Sequence, residues 1–105
     1  MRLLTRQEEL VLLTIFQLKG NSYLVRIREF LTEQTGRDWS ISSVYVPLSR
    51  LAREDYLREI VGQPTAKRGG KAIKYYEITE AGMVVLRELN ALNQAMSKGL
   101  QTEFK

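Results

Sequence analysis

Serine and arginine side chains recur between residues 40 and 53 at a spacing that places them on one side of a helix. Serine hydroxyls donate or accept hydrogen bonds against several base edges, and an arginine such as Arg50 can pair bidentately with guanine. Apolar residues occupy the opposite side, so the segment has the pattern of an amphipathic helix. The sequence therefore predicts a helix that reads nucleic acid. Its predicted contact residues are Ser42, Ser43, Val46, Ser49, Arg50 and Arg53.

A second group of cations follows in a long glycine-containing loop, residues 62–71. A hairpin loop of this length exceeds the usual two to five residues, and unusually long loops are often functional or mobile. Lys67, Arg68 and Lys71 in the loop and Lys74 in the strand that leaves it have no acid among them. Mobile cations on a hairpin suit contacts with phosphates, which position a protein on a duplex. We therefore predict that these four residues bind DNA.

The positive charge of the chain is concentrated in one part of it. Sixteen lysines and arginines against twelve acids give a net charge of +4. Residues 37–74 hold eight of the cations and four of the acids, whereas residues 1–36 and 77–105 cancel to zero. Solvated surface charge on a basic protein is the simpler interpretation of the total. Confinement of the excess to the predicted reading helix and hairpin favours an anionic partner.

Several classes of enzyme are excluded by composition. The chain has no histidine and no cysteine, so Ser-His and Cys-His catalysis and zinc, haem or iron–sulfur sites that need imidazole or thiolate are ruled out. The run Gly69–Lys71 resembles a phosphate loop, but Thr65 and Ala72 stand where that motif needs glycine and a hydroxyl residue. We interpret the adjacent acids Glu54 and Asp55 as a solvated turn. The sequence predicts no enzyme and no cofactor.

The most hydrophobic run, Leu10–Leu18, is interrupted by polar residues and preceded by two glutamates. It is far shorter than the roughly 20 apolar residues of a membrane helix. The pair of glutamates also argues against a signal peptide, which needs a basic start and a small-residue cleavage site. We therefore expect a cytoplasmic protein that does not enter a membrane.

Capping signals divide the chain into elements. Thr5 with Glu8 forms a capping box for a first helix that ends near Gly20. A second helix, capped by Asn21 or Ser22, covers about 23–35, and a third, capped by Ser40, ends near residue 54. Two runs rich in β-branched and aromatic residues, 56–61 and 72–78, predict a hairpin. Thr79 then caps a final helix.

The order helix, helix, helix, hairpin, helix predicts an α+β fold that is mostly α: a winged helix-turn-helix. Residues 1–79 form the predicted DNA-binding domain, and residues 80–105 form a C-terminal dimerisation helix. On the third helix, Ile41, Val44 and Tyr45 are placed on the core side together with Leu48 and Leu51. Tyr76 of the hairpin is also assigned to the core, and Trp39 is interpreted as an anchor between helices or as a ligand-stacking residue.

Apolar residues recur along the final helix at spacings of four, three, four and four, close to the seam of a coiled coil. The first helix is apolar nearly all round, which indicates two packing partners. An isolated domain would leave the seam partly unburied, so we predict a homodimer. The predicted interface consists of Leu12, Ile15, Phe16, Val85, Leu89, Leu92, Met96 and Leu100.

The segments Ser43–Leu51 (SVYVPLSRL) and Lys74–Gly82 (KYYEITEAG), with the basic loop between them, resemble the PadR family of bacterial transcriptional regulators. The resemblance implies a homodimeric winged helix, usually a repressor, with the third helix in the major groove and the wing beside the phosphates. It also implies dimerisation through the first and final helices. Some members bind small hydrophobic compounds near the dimer interface. We expect a palindromic double-stranded DNA site.

Two positions depart from the family pattern. Val46 separates the tyrosine from Pro47, and a proline within a helix removes one backbone hydrogen bond and favours a bend. Asp55 replaces the glycine that usually follows the third helix, although aspartate tolerates left-handed geometry better than most residues. The angle of the reading helix depends on both.

A winged-helix module that binds protein rather than DNA is the alternative, because one fold can serve several functions. Such an adaptor needs apolar anchors on the exposed side of the third helix. Only Val46 and Pro47 are predicted to be apolar there, which favours the DNA-binding hypothesis.

Overall fold

The computed structural model describes residues 3–62 and 72–103 of the 105-residue chain. Three helices are followed by an antiparallel hairpin, a long helix and a final short one, so the predicted fold class is confirmed. The body measures 55 × 29 × 21 Å. The elements are α1 (Arg6–Leu18), α2 (Leu24–Thr35), α3 (Ile41–Arg53), β1 (Leu57–Val61), β2 (Lys74–Ile78), α4 (Glu80–Met96) and α5 (Leu100–Glu103).

Three of the predicted helix starts are confirmed in detail. Thr5 and Glu8 form both bonds of a capping box, since the Glu8 amide donates to Thr5 Oγ1 at 3.1 Å and Glu8 Oε1 accepts from the Thr5 amide at 2.8 Å. Ser40 accepts from the Ser43 amide and Thr79 from the Gly82 amide, each at 3.1 Å. Side-chain oxygens thus satisfy amides that lack a partner within the helix.

The predicted cap of α2 is wrong. Tyr23 occupies the N-cap position and makes no side-chain capping bond, while Ser22 is fully buried one residue earlier. The Ser22 carbonyl accepts from the Tyr76 amide at 2.9 Å, and Tyr23 pairs with Tyr75 as an isolated bridge. The segment before α2 is extended because it adds a short third strand to the hairpin. Strand pairing has therefore replaced side-chain capping at this position.

The hydrophobic core lies where α1, α2 and α3 meet the hairpin and α4. Its members come from each of these elements, so no single pair of helices forms it. The buried residues are Val11, Leu12, Ile15, Ile27, Leu31, Val44, Leu48, Leu51, Leu57, Tyr76, Val85, Leu86 and Leu89. The core explains why α1 is apolar nearly all round, since it contacts helices α2, α3 and α4 and strand β2.

Tyr76 is a core residue as predicted, with 4% of its surface exposed. Burial, together with the nearby Glu59 carboxylate and the Tyr45 hydroxyl, raises the pKa of Tyr76 to about 12. An unfolded tyrosine has a pKa of about 10. Between pH 10 and pH 12 the Tyr76 phenol loses its proton more readily in the unfolded chain than in the folded one. The free energy of unfolding is therefore unaffected by this group below pH 10 and falls as the pH rises towards 12.

The expected loss is up to about 1 kcal/mol of unfolding free energy per pH unit in that window. Urea unfolding at pH 8 and pH 11 measures it. The Tyr76→Phe variant is the control, because it has no phenol to ionise at this position. Both proteins keep the same surface tyrosines, so the ionisation of those tyrosines affects both equally. An equal fall in stability for both proteins would contradict the assignment.

The predicted seam of the final helix is interrupted before its end. Helix α4 stops at Met96, and a turn through Ser97 leads to Gly99, whose φ of 82° is left-handed. The predicted continuation of the seam to Leu100 on one helix is therefore wrong, because the helix is interrupted between Met96 and Leu100. Leu100 begins the separate helix α5 and is half exposed.

Candidate nucleic-acid interface

One long side of α3 lies at the surface. Ser42, Val46, Arg50 and Arg53 are exposed, and Ser43 and Ser49 lie half-buried at its margins. The structure thus brings the six predicted contact residues of this helix onto one surface. The opposite side of α3 is buried through Val44, Pro47, Leu48 and Leu51.

The boundary of the buried side differs from the sequence prediction at three residues. Ile41 and Tyr45 were predicted to lie in the core, yet 46% and 49% of their surfaces are exposed. Pro47 was predicted to be exposed and is buried. The buried residues follow the spacing i, i+3, i+4, i+7 from Val44, and the core beneath α3 is too narrow to include a wider arc. The exposed side of α3 is consequently more apolar than predicted.

The serines at the start of α3 are bonded locally. Ser40 Oγ accepts from the Ser43 amide at 3.1 Å and lies 3.3 Å from Ser42 Oγ. Ser43 Oγ donates to the Ser40 carbonyl oxygen at 2.7 Å. These hydroxyls stabilise the first turn of the helix. Of the predicted serine contacts, Ser49 is the one further along the helix.

The two residues that depart from the family pattern lie within α3 and just after it: Pro47 is inside the helix, and Asp55 follows its end. The helix continues through Pro47 from Ile41 to Arg53, although proline cannot donate the bond to the Ser43 carbonyl. Asp55 has a φ of 65°, so the expectation that it takes the left-handed position of the family's glycine is confirmed. The chain reverses there, and the Tyr56 amide donates to the Leu51 carbonyl at 2.9 Å.

The described part of the wing carries its cations in ion pairs. Lys74 Nζ lies 3.6 Å from Glu59 Oε2, and Arg58 Nε lies 3.4 Å from Glu77 Oε1. Lys74 has no acid near it in the loop sequence, but the antiparallel register brings Glu59 of the facing strand to it. The other three predicted wing contacts, Lys67, Arg68 and Lys71, lie outside the described residues.

Two grooves flank α3. One, of about 600 Å³, separates the end of α3 from the wing and is lined by Ser49 and Arg53 of the helix and by Arg58 and Glu59 of β1. The other, of about 340 Å³, lies between α3 and the start of α1 and is lined by Ser42, Val46 and Arg50 among others. The exposed surface of α3 is therefore a ridge that can enter a groove of another molecule.

The wing is held to α4 by the turn that follows α3. Thr79 Oγ1 donates to the Asp55 carbonyl, and the Thr79 amide donates to the Tyr56 carbonyl at 3.1 Å. Gly82 packs directly against that carbonyl, where a side chain would overlap it. The prediction that Gly82 permits close approach of the helix is confirmed. The direction of α4 is thus fixed relative to α3 and the wing.

The predicted dimer residues fall into two groups. Leu12, Ile15, Val85 and Leu89 are buried within this chain, so their apolar surface is already covered by its own core. The other four reach the surface to different degrees: Phe16 is 40% exposed, Leu92 half-buried, Met96 79% exposed and Leu100 52% exposed. An apolar groove of about 260 Å³ lies beside Phe16 and is lined by Leu13, Phe16, Gln17, Met83, Leu86, Arg87 and Asn90.

Trp39 packs on the core between α2 and α3, which confirms its interpretation as an anchor. Its indole Nε1 donates to Thr35 Oγ1 at 3.0 Å, and its carbonyl accepts from Arg28. The indole N–H therefore has a partner within the chain.

Among the residues that the structure describes, no group of three or more acidic, histidine or cysteine side chains is placed to hold a metal ion. Over the same residues, no helix combines the length and the apolar character needed to cross a membrane.

Residues 11–88 match the profile of the transcriptional regulator PadR-like family. A PadR family transcriptional regulator from Eggerthella lenta has 25% identity and a TM-score of 0.73 over 95% of this chain and 85% of its own. A PadR-like transcriptional regulator from Bacillus cereus has 22% identity and a TM-score of 0.76 over 93% and 90%. A transcriptional regulator from Clostridium thermocellum has 19% identity and a TM-score of 0.72 over 93% and 92%. No curated protein matched the chain.

Proposed function

The chain belongs to the PadR-like family of transcriptional regulators, and we propose that it is a cytoplasmic repressor that binds a palindromic operator as a homodimer. Residues 1–79 are the proposed DNA-binding unit and residues 80–105 the dimerisation helix. Membership of this family makes the chain a regulator rather than an enzyme.

The observation that carries the proposal is the exposed ridge of α3 beside the wing. Its last turn presents Arg50 and Arg53, and neither forms an ion pair with a carboxylate of the described residues. A helix in the major groove reads base edges, while cations at its margin neutralise phosphates. The groove between α3 and the wing is lined by Arg53 and Arg58 among others, and such cations suit contacts with phosphates.

Selection of bound fragments from genomic DNA with the purified protein tests the proposal. We expect recovery of fragments that share an inverted repeat, bound with nanomolar affinity and with a steep loss of affinity as salt increases. Repeating the selection at raised salt removes fragments held only by phosphate contacts. Failure to enrich any shared sequence at either salt concentration would contradict the proposal. Repression is then measured with a reporter gene behind the recovered sequence.

Replacing Arg50 and Arg53 together by alanine is expected to weaken binding to the recovered sequence by about 30-fold or more, because each arginine contact contributes about 1–3 kcal/mol. Fluorescence anisotropy titrations measure the change. Lys19→Asn is the control: it removes a cation at the other end of α1 from the α3 groove, and asparagine tolerates the left-handed conformation of Lys19. Equal losses in both variants would indicate a general charge effect and would contradict a specific role for α3.

Lys67, Arg68 and Lys71 remain predicted phosphate contacts. Their joint replacement by alanine is expected to reduce the slope of log affinity against log salt by up to about 2.7, since each neutralised phosphate contributes about 0.9. Titrations at four salt concentrations between 50 and 200 mM give the slope. An unchanged slope would show that these residues do not contact the phosphates.

Homodimerisation is supported by apolar side chains of α1, α4 and α5 that remain exposed near the ends of the predicted seam. Phe16 borders an apolar groove, while most of the surface of Met96 and about half of that of Leu100 is exposed. The groove at Phe16 is also the proposed place for a small hydrophobic effector.

A protein-interaction module is the second candidate. It is favoured by the exposure of Ile41 and Tyr45 in addition to Val46, which provides the apolar anchors that an adaptor needs. The genomic selection separates the two candidates, because an adaptor would enrich no shared DNA sequence.

A further inference from the structure

The exposed side of α3 is divided into two chemically different halves. Ile41, Tyr45 and Val46 lie in its first two turns and are exposed to 46%, 49% and 46%. The cations Arg50 and Arg53 lie in its last turn. Ile41 and Tyr45 are four residues apart and are neighbours on the helix surface, whereas Val46 lies about 100° round the helix from Tyr45. We call these three exposed side chains together the apolar patch of α3.

The serines beside the patch use part of their hydrogen-bonding capacity within the first turn of α3. Ser43 Oγ donates to the Ser40 carbonyl oxygen at 2.7 Å, and Ser42 Oγ lies 3.3 Å from Ser40 Oγ. These hydroxyls therefore stabilise the first turn. The start of α3 therefore offers a partner the apolar patch together with the remaining acceptor positions of these hydroxyls.

The major groove exposes an apolar group at one base, the C5 methyl group of thymine. In helix-turn-helix proteins, the N-terminal residues of the reading helix contact base edges. Deoxyribose carbons are also apolar, but they are the same in every nucleotide and therefore carry no sequence information. Docking α3 in a major groove would therefore set its apolar half against bases and its cationic half towards bases or backbone.

Resting on the proposed function, we propose that Ile41, Tyr45 and Val46 select thymines in each half-site by contact with their C5 methyl groups. Val46 lies on the side of α3 that borders α1, and Tyr45 lies near Tyr76 of the wing. The patch therefore spans the width of the helix.

The test uses duplexes that carry the sequence recovered in the genomic selection, synthesised with thymidine or with deoxyuridine at one position at a time. Deoxyuridine pairs as thymidine does and lacks only the methyl group. We expect about fourfold weaker binding for each contacted methyl group, from a burial free energy of about 0.8 kcal/mol. Fluorescence anisotropy gives the affinities.

A Val46→Ala variant assigns the contact to the side chain. We expect it to bind the thymidine duplex more weakly, and to lose less than the wild type when the thymine next to Val46 is replaced by uracil. Val25→Ala is the matched control, because Val25 is a similarly exposed valine on α2. It should respond to uracil as the wild type does.

The outcomes separate this inference from the proposed function. A recovered sequence without thymine in its half-sites, or binding unaffected by uracil at every position, would overturn methyl recognition and leave DNA binding intact. Failure to enrich any DNA would overturn both, and the apolar patch would then be assigned to a protein partner. A loss on uracil substitution that persists unchanged in Val46→Ala would exclude Val46 from the contact.

Discussion

Gly82→Ala is expected to lower the free energy of unfolding by about 3 kcal/mol, at the upper end of what inserted methyl groups cost in packed sites. A Cβ at this position would overlap the backbone carbonyl oxygen of Tyr56 and lie 2.8 Å from Cγ2 of Ile78. A backbone carbonyl cannot rotate away as a side chain can, so α4 must move off the turn that follows α3. Alanine favours helix by about 1 kcal/mol over glycine, which offsets only part of this loss.

Thermal unfolding measures the effect, and we expect the midpoint to fall by more than about 10 °C. Gly36→Ala is the matched control. Gly36 ends α2 with a φ of 70° and has no atom within 4 Å of an added Cβ, so alanine there introduces backbone strain without overlap. That strain costs about 1–2 kcal/mol. If Gly82→Ala is no more destabilising than Gly36→Ala, the contact between α4 and the turn is not a tight one.

The consequence for DNA binding follows from the same contact. Gly82 and Thr79 hold α4 to the turn between α3 and the wing. In a dimer built on α4, this junction sets the spacing between the two copies of α3. A folded Gly82→Ala protein should therefore bind a single half-site normally and the inverted repeat less well.

Local signals were sufficient to predict most of the fold. Caps at Thr5, Ser40 and Thr79 form bonds within three residues, so they can be recognised without tertiary structure. The cap of α2 could not be predicted in this way. The residues before α2 pair with Tyr75 and Tyr76, more than 50 positions away in the sequence, and this pairing determines their conformation.

The surface of α3 was predicted in part. Its hydroxyl and cationic residues follow helical periodicity and were placed correctly on the exposed side. Tyr45 and Pro47 were placed on the wrong sides, because periodicity gives the direction of a stripe but not the width of the core beneath it. The ion pair between Lys74 and Glu59 was missed for a related reason, since it depends on the register of two strands.

A charge introduced at Leu92 and Met96 is expected to convert the protein into a monomer. Asn93 Nδ2 donates to Glu9 Oε2 at 2.7 Å, which places this turn of α4 beside the first turns of α1. One turn further, α4 has passed the start of α1, and Met96 is 79% exposed. Burying such side chains in a second copy contributes about 1.5–3 kcal/mol each.

Leu92→Glu with Met96→Glu should therefore give a folded monomer in light scattering at micromolar concentration. Its affinity for the inverted repeat should fall about 100-fold or more, because the second half-site contact is no longer intramolecular. Binding to a duplex with one half-site should be unchanged. Ala91→Glu with Gln94→Glu adds the same charge to exposed positions of α4 and should remain dimeric.

Two outcomes would contradict this assignment of the interface. If the Leu92 and Met96 variant remains dimeric, the C-terminal end of α4 does not form the contact, and the groove between Phe16 of α1 and the first half of α4 becomes the remaining apolar surface for a second copy. If the wild-type chain is itself a monomer, each copy binds one half-site independently. The inverted repeat would then give no gain over a single half-site, because nothing would link the two copies of α3.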